Sequence, residues 1–426
     1  QPIEVKALDS TTKQLEIFNK NYFVPLTGYV CKATLLADGK EVASADIALN
    51  GDMSPRSRTV VDNPLSGVSL EPGKEYFLNI SFLLDKDMPW AEKGYRQMAE
   101  QIAINNPVPY VVEKVEAPKK GKIKTSKTSV TGKDFAITFD PATGLINTLS
   151  YDGKEIITPG HGPRPDLFRA LVNNDNWMYK STYAAGLHNM RYSATDWKQS
   201  KKNGNAVFTC TLTAQAPNKA ILRDAYSNNV KIEEMPDSAT TFRLTGQVTY
   251  TVSPEGVVNI HASFNSTDTT LIVPRLGFAI ELPSSFREME YYGRGPVENY
   301  ADRKSGAFMG YYKSATDKEF VNYAKPQNMG NHEDTRMLML TDSQGKGLRF
   351  TASQPFAFTA LDYSENALAT AAHPQDLTPD GYVYLHIDKK VTGLGGNSCG
   401  QGAPLPRDRA TASPWHFSFT ITPVNF

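Results

Sequence analysis

Four polar residues that could do chemistry stand close together in the second half of the chain. Glu298, Asn299, Asp302 and Arg303 fall within one short stretch and offer carboxylate acceptors, an amide and a guanidinium fork. In an open cleft they could orient a polar substrate. If they are buried, each charge is costly unless it is paired, so a satisfied hydrogen-bond network is the simpler interpretation. We therefore expect a structural network here, with a role in positioning a neighbouring segment as the alternative.

Residue types that hold metal ions occur in this chain without the spacing of a metal site. The aspartates Asp175, Asp302 and Asp334 are far apart, whereas a calcium loop places its ligands within about 12 residues. The cysteines are widely spaced as well, and their odd number indicates neither a zinc cluster nor a disulfide framework. They are Cys31, Cys210 and Cys399. We predict no metal site.

Charge and hydropathy limit the classes of partner. Lysine plus arginine and aspartate plus glutamate number 45 each, so the formal net charge is zero, and no nucleic acid is expected as a partner. Sugars and other neutral partners remain open. The apolar runs fall short of the roughly 20 residues that span a bilayer, so we expect a soluble protein without a membrane partner, cytoplasmic or periplasmic. A start at Gln1 rather than Met suggests a processed chain or an excised piece.

Residues 1–115 carry short strand signals separated by turn residues. The strand candidates are Leu15–Phe18, Gly28–Leu36, Val42–Leu49 and Tyr76–Phe82. Strands at a spacing of roughly 8–12 residues predict an immunoglobulin-like β-sandwich. Trp90–Ile104 is ambiguous: its composition allows an amphipathic helix, but Gly94 weakens that pattern and a final strand fits equally well.

A charged stretch with few core residues follows this sandwich. It contains Pro118-Lys119-Lys120-Gly121-Lys122, which is typical of an exposed linker, and we place the linker at residues 116–128. No aromatic residues interleave the lysines, so a functional basic patch is the weaker interpretation.

Residues 129–426 continue with strand signals and form a second domain. The candidates are Phe135–Phe139, Leu145–Tyr151, Val207–Leu212, Thr241–Thr251, Val257–Phe264, Arg336–Thr341, Leu348–Thr351 and His416–Ile421. Strands do not alternate with helices, so the pattern excludes a (β/α)8 barrel. One large antiparallel β domain is predicted, and the whole chain is all-β.

One long segment resembles a known family. Residues 291–303 read YYGRGPVENYADR, which is similar to the G-x-G-P-x-E-N-Y-x-D-R signature in the small-chain domain of glycoside hydrolase family 2 β-galactosidases. The signature is long and ordered, hence specific.

Four further segments resemble the same family in the same order. They are Pro89–Tyr95, Asp166–Asp175, Pro326–Arg336 and Gly393–Gly400. The chain departs from the family pattern at several positions. Leu171 stands for a proline and Asn173 for an aspartate, Asn328-Met329 for Glu-Asn, and His332 for an arginine. The resemblance covers nearly the whole chain.

The resemblance implies an immunoglobulin-like sandwich followed by a β-supersandwich of the galactose-mutarotase type. It also implies the carboxyl-terminal portion of a retaining β-galactosidase, whose two catalytic glutamates lie on a (β/α)8 barrel absent from this chain. We therefore expect no catalytic residue here and no hydrolysis by the chain alone. No cofactor is expected either, because the Mg and Na ions often used by the family belong to the barrel.

Two segments are implied to reach the sugar pocket of the barrel. One is the loop Asn176–Ala185, with its aromatic residues, and the other is Gly395–Gly400 within the glycine-rich turn Gly393–Gly400. In that turn Cys399 stands where the family has a tryptophan that stacks on the substrate, and a thiol cannot replace the flat contact of an indole. The implied substrate contacts are Asn176, Trp177, Tyr179, Gly396, Asn397, Ser398 and Cys399. The residues expected to support them are Arg169, Asn174, Asp175, Glu298, Asn299, Asp302 and Arg303.

Two other functions remain open from the sequence. The chain could be a carbohydrate-binding or oligomer-interface module without chemistry. It could also be an aldose 1-epimerase, in which His332 or His373 would act with Glu333 or Glu365 as general acid and base. The partners expected on the main interpretation are the barrel region, in the same polypeptide or in a partner chain, a β-galactoside or oligosaccharide, and further copies in a homo-oligomer.

Overall fold

A computed structural model describes residues 1–106, 121–217, 219–223, 231–235, 241–395 and 402–426. The chain divides into two compact units. The first holds the described residues up to 106 together with Phe308–Tyr311, and the second holds the remaining described residues. The predicted domain boundary falls among residues 107–120, outside the described part of the chain.

The first unit is a seven-stranded sandwich. Its strands are β1 (Ile3–Ala7), β2 (Gln14–Asn19), β3 (Tyr29–Ala37), β4 (Lys40–Ile47), β5 (Arg58–Asp62), β6 (Tyr76–Leu84) and β7 (Arg96–Ile104). One sheet has the order β1-β2-β5 and the other β4-β3-β6-β7. The core between them forms because alternate residues of each strand are buried, as in β6, where Leu78, Ile80 and Phe82 are 0% exposed. The predicted immunoglobulin-like sandwich is confirmed.

The helix alternative for Trp90–Ile104 is wrong. Arg96–Ile104 is strand β7, and it pairs with β6 from Tyr76↔Ile104 to Leu83↔Arg96. Cross-strand pairing along the whole of β7 supplies its hydrogen bonds, and this tertiary contact overrides a weak local helical composition.

The second unit begins with a five-stranded sheet. Its strands are β8 (Lys124–Thr125), β9 (Ser129–Thr131), β10 (Phe135–Asp140), β11 (Leu145–Tyr151) and β12 (Lys154–Ile157), in the order β12-β11-β10-β9-β8. The end of the proposed linker therefore contributes a short edge strand. The turn between β11 and β12 has Asp152 at φ 47° and Gly153 at φ 74°, the backbone that a tight hairpin requires.

The remaining strands of the chain form one large sheet and two small ribbons. They are β13 (Arg164–Asp166), β14 (Arg191–Lys202), β15 (Asn205–Gln215), β16 (Lys219–Arg223), β17 (Lys231–Met235), β18 (Arg243–Val252), β19 (Val258–Ser266), β20 (Ile272–Val273), β21 (Arg275–Pro283), β22 (Glu288–Gly295), β23 (Phe308–Ala315), β24 (His332–Thr341), β25 (Gly347–Leu361), β26 (Tyr382–Val391), β27 (Ala410–Thr411) and β28 (Trp415–Val424). The ribbons are β16-β17 and β20-β27.

The large sheet has twelve strands and a mainly antiparallel path. Its order is β13-β21-β26-β25-β28-β19-β18-β15-β14, with β24 beside β25, β22 beside β24 and β23 beside β22. Alternating burial along β15 and β19 places one face of the sheet in a continuous apolar core that also receives residues of the five-stranded sheet. The predicted large antiparallel β domain is confirmed.

Helices are short in the described residues. The two α-helices are α1 (Tyr179–Ala184) and α2 (Glu365–Thr370). No helix in the described ranges has the length and apolar character of a membrane-spanning segment.

Candidate functional site

The first predicted site segment is built around a buried aspartate. Asp175 lies in a single 3₁₀ turn, Asn173–Trp177, which is followed by α1. Its carboxylate is fully buried and accepts a hydrogen bond of 2.9 Å from the backbone N–H of Val172. The turn therefore closes on its own acidic side chain, and the predicted loop Asn176–Ala185 is mostly helical.

Arg169 joins this turn to the second predicted segment. Its Nη2 lies 3.0 Å from each carboxylate oxygen of Asp175, and its Nη1 donates to the carbonyl oxygen of Thr392. Nη2 also lies 3.4 Å from the carbonyl oxygen of Gly393. Burial raises the pKa of Asp175, and the guanidinium of Arg169 acts in the opposite direction. One side chain thus brings together the two segments that the sequence singled out.

Asp302 holds the start of the glycine-rich turn. Its carboxylate oxygens accept hydrogen bonds of 2.9 Å from the N–H of Leu394 and 2.8 Å from the N–H of Gly395. A Cβ on Gly393 would lie 2.5 Å from Cγ of Asp302, so this close approach requires glycine. The rest of the predicted contact, Gly396, Asn397, Ser398 and Cys399, lies outside the described residues.

The predicted support residue Asn174 and the predicted substrate contacts near it differ in exposure. Asn174 is exposed, and Asn176 and Trp177 are half-buried. Trp177 packs part of its ring on the core, and its Nε1 has no hydrogen-bond partner among the described residues. Tyr179 is 5% exposed and donates a hydrogen bond of 3.2 Å to the carbonyl oxygen of Leu171. Trp177 is therefore better placed than Tyr179 to meet a ligand, and contact with substrate stays a prediction for both.

Glu298 accepts hydrogen bonds from three directions. Arg303 Nη2 donates to its Oε1 at 2.8 Å, the hydroxyl of Tyr323 donates to the same oxygen, and the N–H of Gly330 donates to Oε2 at 3.0 Å. Only 9% of Glu298 is exposed, so these donors replace the water that burial removes. Glu298 and Arg303 therefore link the signature segment to the chain around residue 330.

Asn299 also links the signature segment to the chain just after residue 330. Its amide Nδ2 donates to the carbonyl oxygens of Arg294 and Val297 at 3.1 and 3.0 Å, and its Oδ1 accepts from the N–H of Glu333 at 2.9 Å. Asn331 Nδ2 donates to the carbonyl oxygen of Asn299 at 2.7 Å. The amide is fully used within the protein, and its support of a binding site stays a prediction.

A second buried arginine extends the network beyond the residues that the sequence indicated. Arg275 is 0% exposed, and its Nη2 donates to Glu365 Oε1 at 2.8 Å. Asn328 Nδ2 donates to the same oxygen at 2.9 Å and receives the hydroxyl of Tyr300 on its Oδ1 at 2.9 Å. The N–H of Ala170 donates to Glu365 Oε2 at 2.6 Å. The backbone beside Arg169 is thus tied to α2 and to the signature tyrosine.

The histidines considered for an epimerase have other partners. His332 is 0% exposed; its Nδ1 lies 2.9 Å from the carbonyl oxygen of Arg294 and its Nε2 lies 2.8 Å from Glu319 Oε2. His373 is on the surface, with Nδ1 3.6 Å from Asp376 Oδ2. His332 is thus completely buried with both nitrogens in contact with the protein, and it is not exposed to a substrate from solvent.

The described residues contain no group of three or more histidine, cysteine, aspartate or glutamate side chains that could hold a metal ion. Cys31 and Cys210 are free and buried, and burial raises the pKa of both thiols.

Two family models match the chain. The model described as "Beta galactosidase small chain" matches residues 131–421, and the model described as "Beta-galactosidase, domain 4" matches residues 15–105. Together these matches cover most of both units.

Similar proteins of known name are bacterial β-galactosidases. Those of Priestia megaterium and Streptococcus thermophilus are each 26% identical, over 100% and 97% of this chain and 39% and 38% of their own length. The enzyme of Lactobacillus delbrueckii subsp. bulgaricus is 28% identical over 92% of this chain and 36% of its own length. The chain therefore spans well under half the length of these relatives.

Solved structures with some likeness include two epimerases. A putative aldose 1-epimerase from Escherichia coli K12 has a TM-score of 0.34 at 9% identity, covering 71% of this chain and 99% of that one. Galactose 1-epimerase from Lactobacillus acidophilus has a TM-score of 0.35 at 8% identity, covering 69% and 92%. Likeness at this level says nothing about activity.

Proposed function

The chain belongs to the β-galactosidase small chain family, and from that premise we propose that it is the carboxyl-terminal portion of a retaining β-galactosidase. In this proposal the catalytic glutamates lie on a (β/α)8 barrel outside the chain, in the same polypeptide or in a partner chain. The present chain contributes the turn Asn173–Trp177 and the segment from Gly393 onward to the sugar pocket. The substrate is a terminal β-D-galactoside.

The junction at Arg169 is the observation that carries the proposal. Two segments more than 200 residues apart in sequence meet at one buried guanidinium, through Asp175 on one side and Thr392-Gly393 on the other. Such a junction holds surface segments at a fixed spacing, which is what precise contact with a substrate demands of the residues that present it.

Within the second unit, the distribution of aromatic side chains favours this role over a pure carbohydrate-binding module. Sugar-binding modules present exposed aromatic rings for stacking. Among the described residues of the second unit, the large apolar side chains in the exposed class are Val297 and Leu405, and neither is aromatic. The half-buried Trp177 beside the junction is instead suited to complete a pocket whose other wall comes from the barrel.

Replacing Trp177 by Ala in the full-length enzyme should raise KM for nitrophenyl-β-galactoside. An aromatic contact is worth about 0.5–1.5 kcal/mol beyond its buried area, which corresponds to a change of about twofold to tenfold. Trp177→Phe should keep most of the contact, because an aromatic ring remains. Steady-state kinetics on both variants measures the effect.

Trp90→Ala is the matched control, because Trp90 is 57% exposed and lies in the first unit. Its KM should equal that of the parent enzyme. If Trp177→Ala folds normally and leaves both KM and kcat unchanged, the turn does not reach the substrate and the proposal fails in this form.

A further inference from the structure

A polar cavity lies in the second unit, on residues that the proposed pocket does not use. It has a volume of about 330 Å³ and is bounded by β13, β21, β26, the start of α2 and the turn Leu187–Asn189. This volume is at the small end of the range for small-molecule sites, roughly 300–1,000 Å³.

The cavity exists because the strands beneath it have two different faces. Successive side chains of a strand point to opposite faces, and on β21 and β26 one set enters the apolar core. That set is Phe278, Ile280, Leu282, Val383, Leu385 and Ile387. The opposite set carries Glu281, Tyr384, His386 and Asp388, together with Arg164 and Asp166 of the neighbouring β13. The face opposite the core is therefore polar, as is common in antiparallel sheets, and here it lines the cavity.

Small residues leave room between the polar side chains. Ala279 stands in register between Arg164 on β13 and His386 on β26. Gly277 stands next in the row, and a Cβ there would lie 2.1 Å from Oδ1 of Asp388. Large side chains at either position would fill or distort the space, so the residue sizes preserve a hollow lined by charged groups.

His386 forms part of the wall and is nearly inaccessible, with 7% of its side chain exposed. Its Nδ1 lies 3.0 Å from Asp166 Oδ2, but it is not aligned for a hydrogen bond and has no other partner among the described residues. Its Nε2 lies 3.8 Å from Glu365 Oε1. Burial and the neighbouring Arg275 lower the pKa of His386. Asp166 acts on this pKa in the opposite direction. In its neutral form the ring offers one donor and one acceptor.

The rim carries a matched pair of charges. Glu281 accepts hydrogen bonds from the ring of His161 and from Arg164 Nη2. Arg164 Nη1 is buried and has no hydrogen-bond partner among the described residues. Tyr384 stands in register with Glu281 and gives the rim an aromatic ring.

We propose that this cavity binds a neutral, polyhydroxylated small molecule of monosaccharide size. Hydroxyl groups can donate to the carboxylates of Asp166 and Glu281 and accept from Arg164 and His386 at the same time. A ligand of this class can accept a hydrogen bond from the buried Nη1 of Arg164 and donate to the remaining lone pairs of the paired carboxylates, without adding a charge. The site would act in this chain alone, so it is independent of the proposed β-galactosidase pocket.

The charges of the lining disfavour other ligand classes. An anion such as phosphate would meet Asp166, Glu281 and Glu365 with Arg164 as its main cationic partner. A cation would have to compete with arginine for carboxylates that are already paired, since Glu281 binds Arg164 and Glu365 binds Arg275. Neutral hydroxyls avoid both costs.

The test is a ligand-detected NMR titration of the 426-residue chain with D-galactose, and with inorganic phosphate as the comparison. Ala279→Leu fills the cavity, and Glu281→Gln removes a charged acceptor. Glu288→Gln is the matched control, because Glu288 is an exposed residue on β22. Thermal unfolding of each variant verifies that it is folded.

We expect saturable binding of D-galactose to the parent chain and to Glu288→Gln, at least tenfold weaker binding to Glu281→Gln, and none to Ala279→Leu. The proposal is overturned if the parent shows no saturable binding of D-galactose, if phosphate binds more tightly, or if Glu281→Gln binds as the parent does. The last comparison stands even if Ala279→Leu does not fold. Because the barrel is not in the assay, these outcomes do not depend on the proposed hydrolytic function.

Discussion

Replacing Arg169 by Ala should lower the free energy of unfolding by about 3–5 kcal/mol, the range for breaking a buried ion pair from one side. Asp175 would remain fully buried and would lose both guanidinium contacts at 3.0 Å. The carbonyl oxygens of Thr392 and Gly393 would lose their donor as well. Denaturant unfolding of the purified chain measures the change.

Arg287→Ala is the matched control for this prediction. Arg287 also pairs with an aspartate, Asp362, at 3.0 Å, but 46% of its side chain is exposed, and exposed pairs are worth about 0–1 kcal/mol. A loss at Arg169 no larger than the loss at Arg287 would contradict the view that a buried junction holds the two segments. In the full-length enzyme Arg169→Ala should also lose most of its hydrolysis, whereas Arg287→Ala should not.

Asp388→Asn should make the chain more stable, and increasingly so as the pH rises from about 4 to 8. Asp388 is 0% exposed, with Arg275 Nη1 as its nearest cation at 3.8 Å. Burial, only partly opposed by Arg275, raises the pKa of Asp388 to about 8. In the unfolded chain its pKa is about 3.9, so between these values the folded state holds a proton that the unfolded state has released.

The sign of the pH effect follows from that difference. A raised folded-state pKa contributes to the free energy of unfolding. This contribution is fully present below about pH 4 and is lost as the pH rises through 8, at about 1.4 kcal/mol per pH unit. Asparagine does not titrate, so the variant keeps the free energy of unfolding that the parent loses as the pH rises. The gap between the two proteins should be near zero at pH 4 and should stop growing above pH 8. Chemical unfolding at pH 4, 6 and 8 measures it.

Asp342→Asn provides a control of opposite sign. Burial acts against ionisation of Asp342, but hydrogen bonds from Lys154 and from the N–H groups of Lys346 and Gln344 prevail and lower its pKa. Its stabilising contribution is therefore present above the unfolded-state pKa and is lost in acid. Asp342→Asn should be less stable than the parent at pH 7, and the deficit should shrink toward pH 3. An Asp388→Asn variant with the same pH profile as the parent would show that Asp388 does not hold a proton at neutral pH.

Sequence patterns predicted the bounds of a strand best where turn residues stand at both of its ends. β11 matches its predicted range, Leu145–Tyr151, because Asp-Pro-Ala-Thr-Gly precedes it and Asp152-Gly153 ends it. β25 runs from Gly347 to Leu361, but only Leu348–Thr351 was predicted. Pro355 and its polar neighbours break the local pattern there, whereas pairing with β24, β26 and β28 holds the strand together.

The candidate site was predictable only in part, for a physical reason. The resemblance pointed to Asp175 and Asp302, but the contact that joins their segments depends on Arg169 reaching residues more than 200 positions away. No local pattern carries such a contact. The buried pair of Arg275 and Glu365 is 90 positions apart and was missed as well. One sequence signal for a polar, buried region was present in β26. There Tyr384, His386 and Asp388 alternate with apolar residues.

Complementation tests most directly whether this chain completes a β-galactosidase active site on the barrel. Nitrophenyl-β-galactoside hydrolysis is measured for this chain alone, for the barrel-containing fragment alone, and for the two mixed in equal amounts. We predict no turnover by the chain alone, little by the fragment, and a saturable increase on mixing that Arg169→Ala abolishes and Arg287→Ala preserves. Turnover by the chain alone, or a fragment whose activity does not respond to the chain, would contradict this prediction.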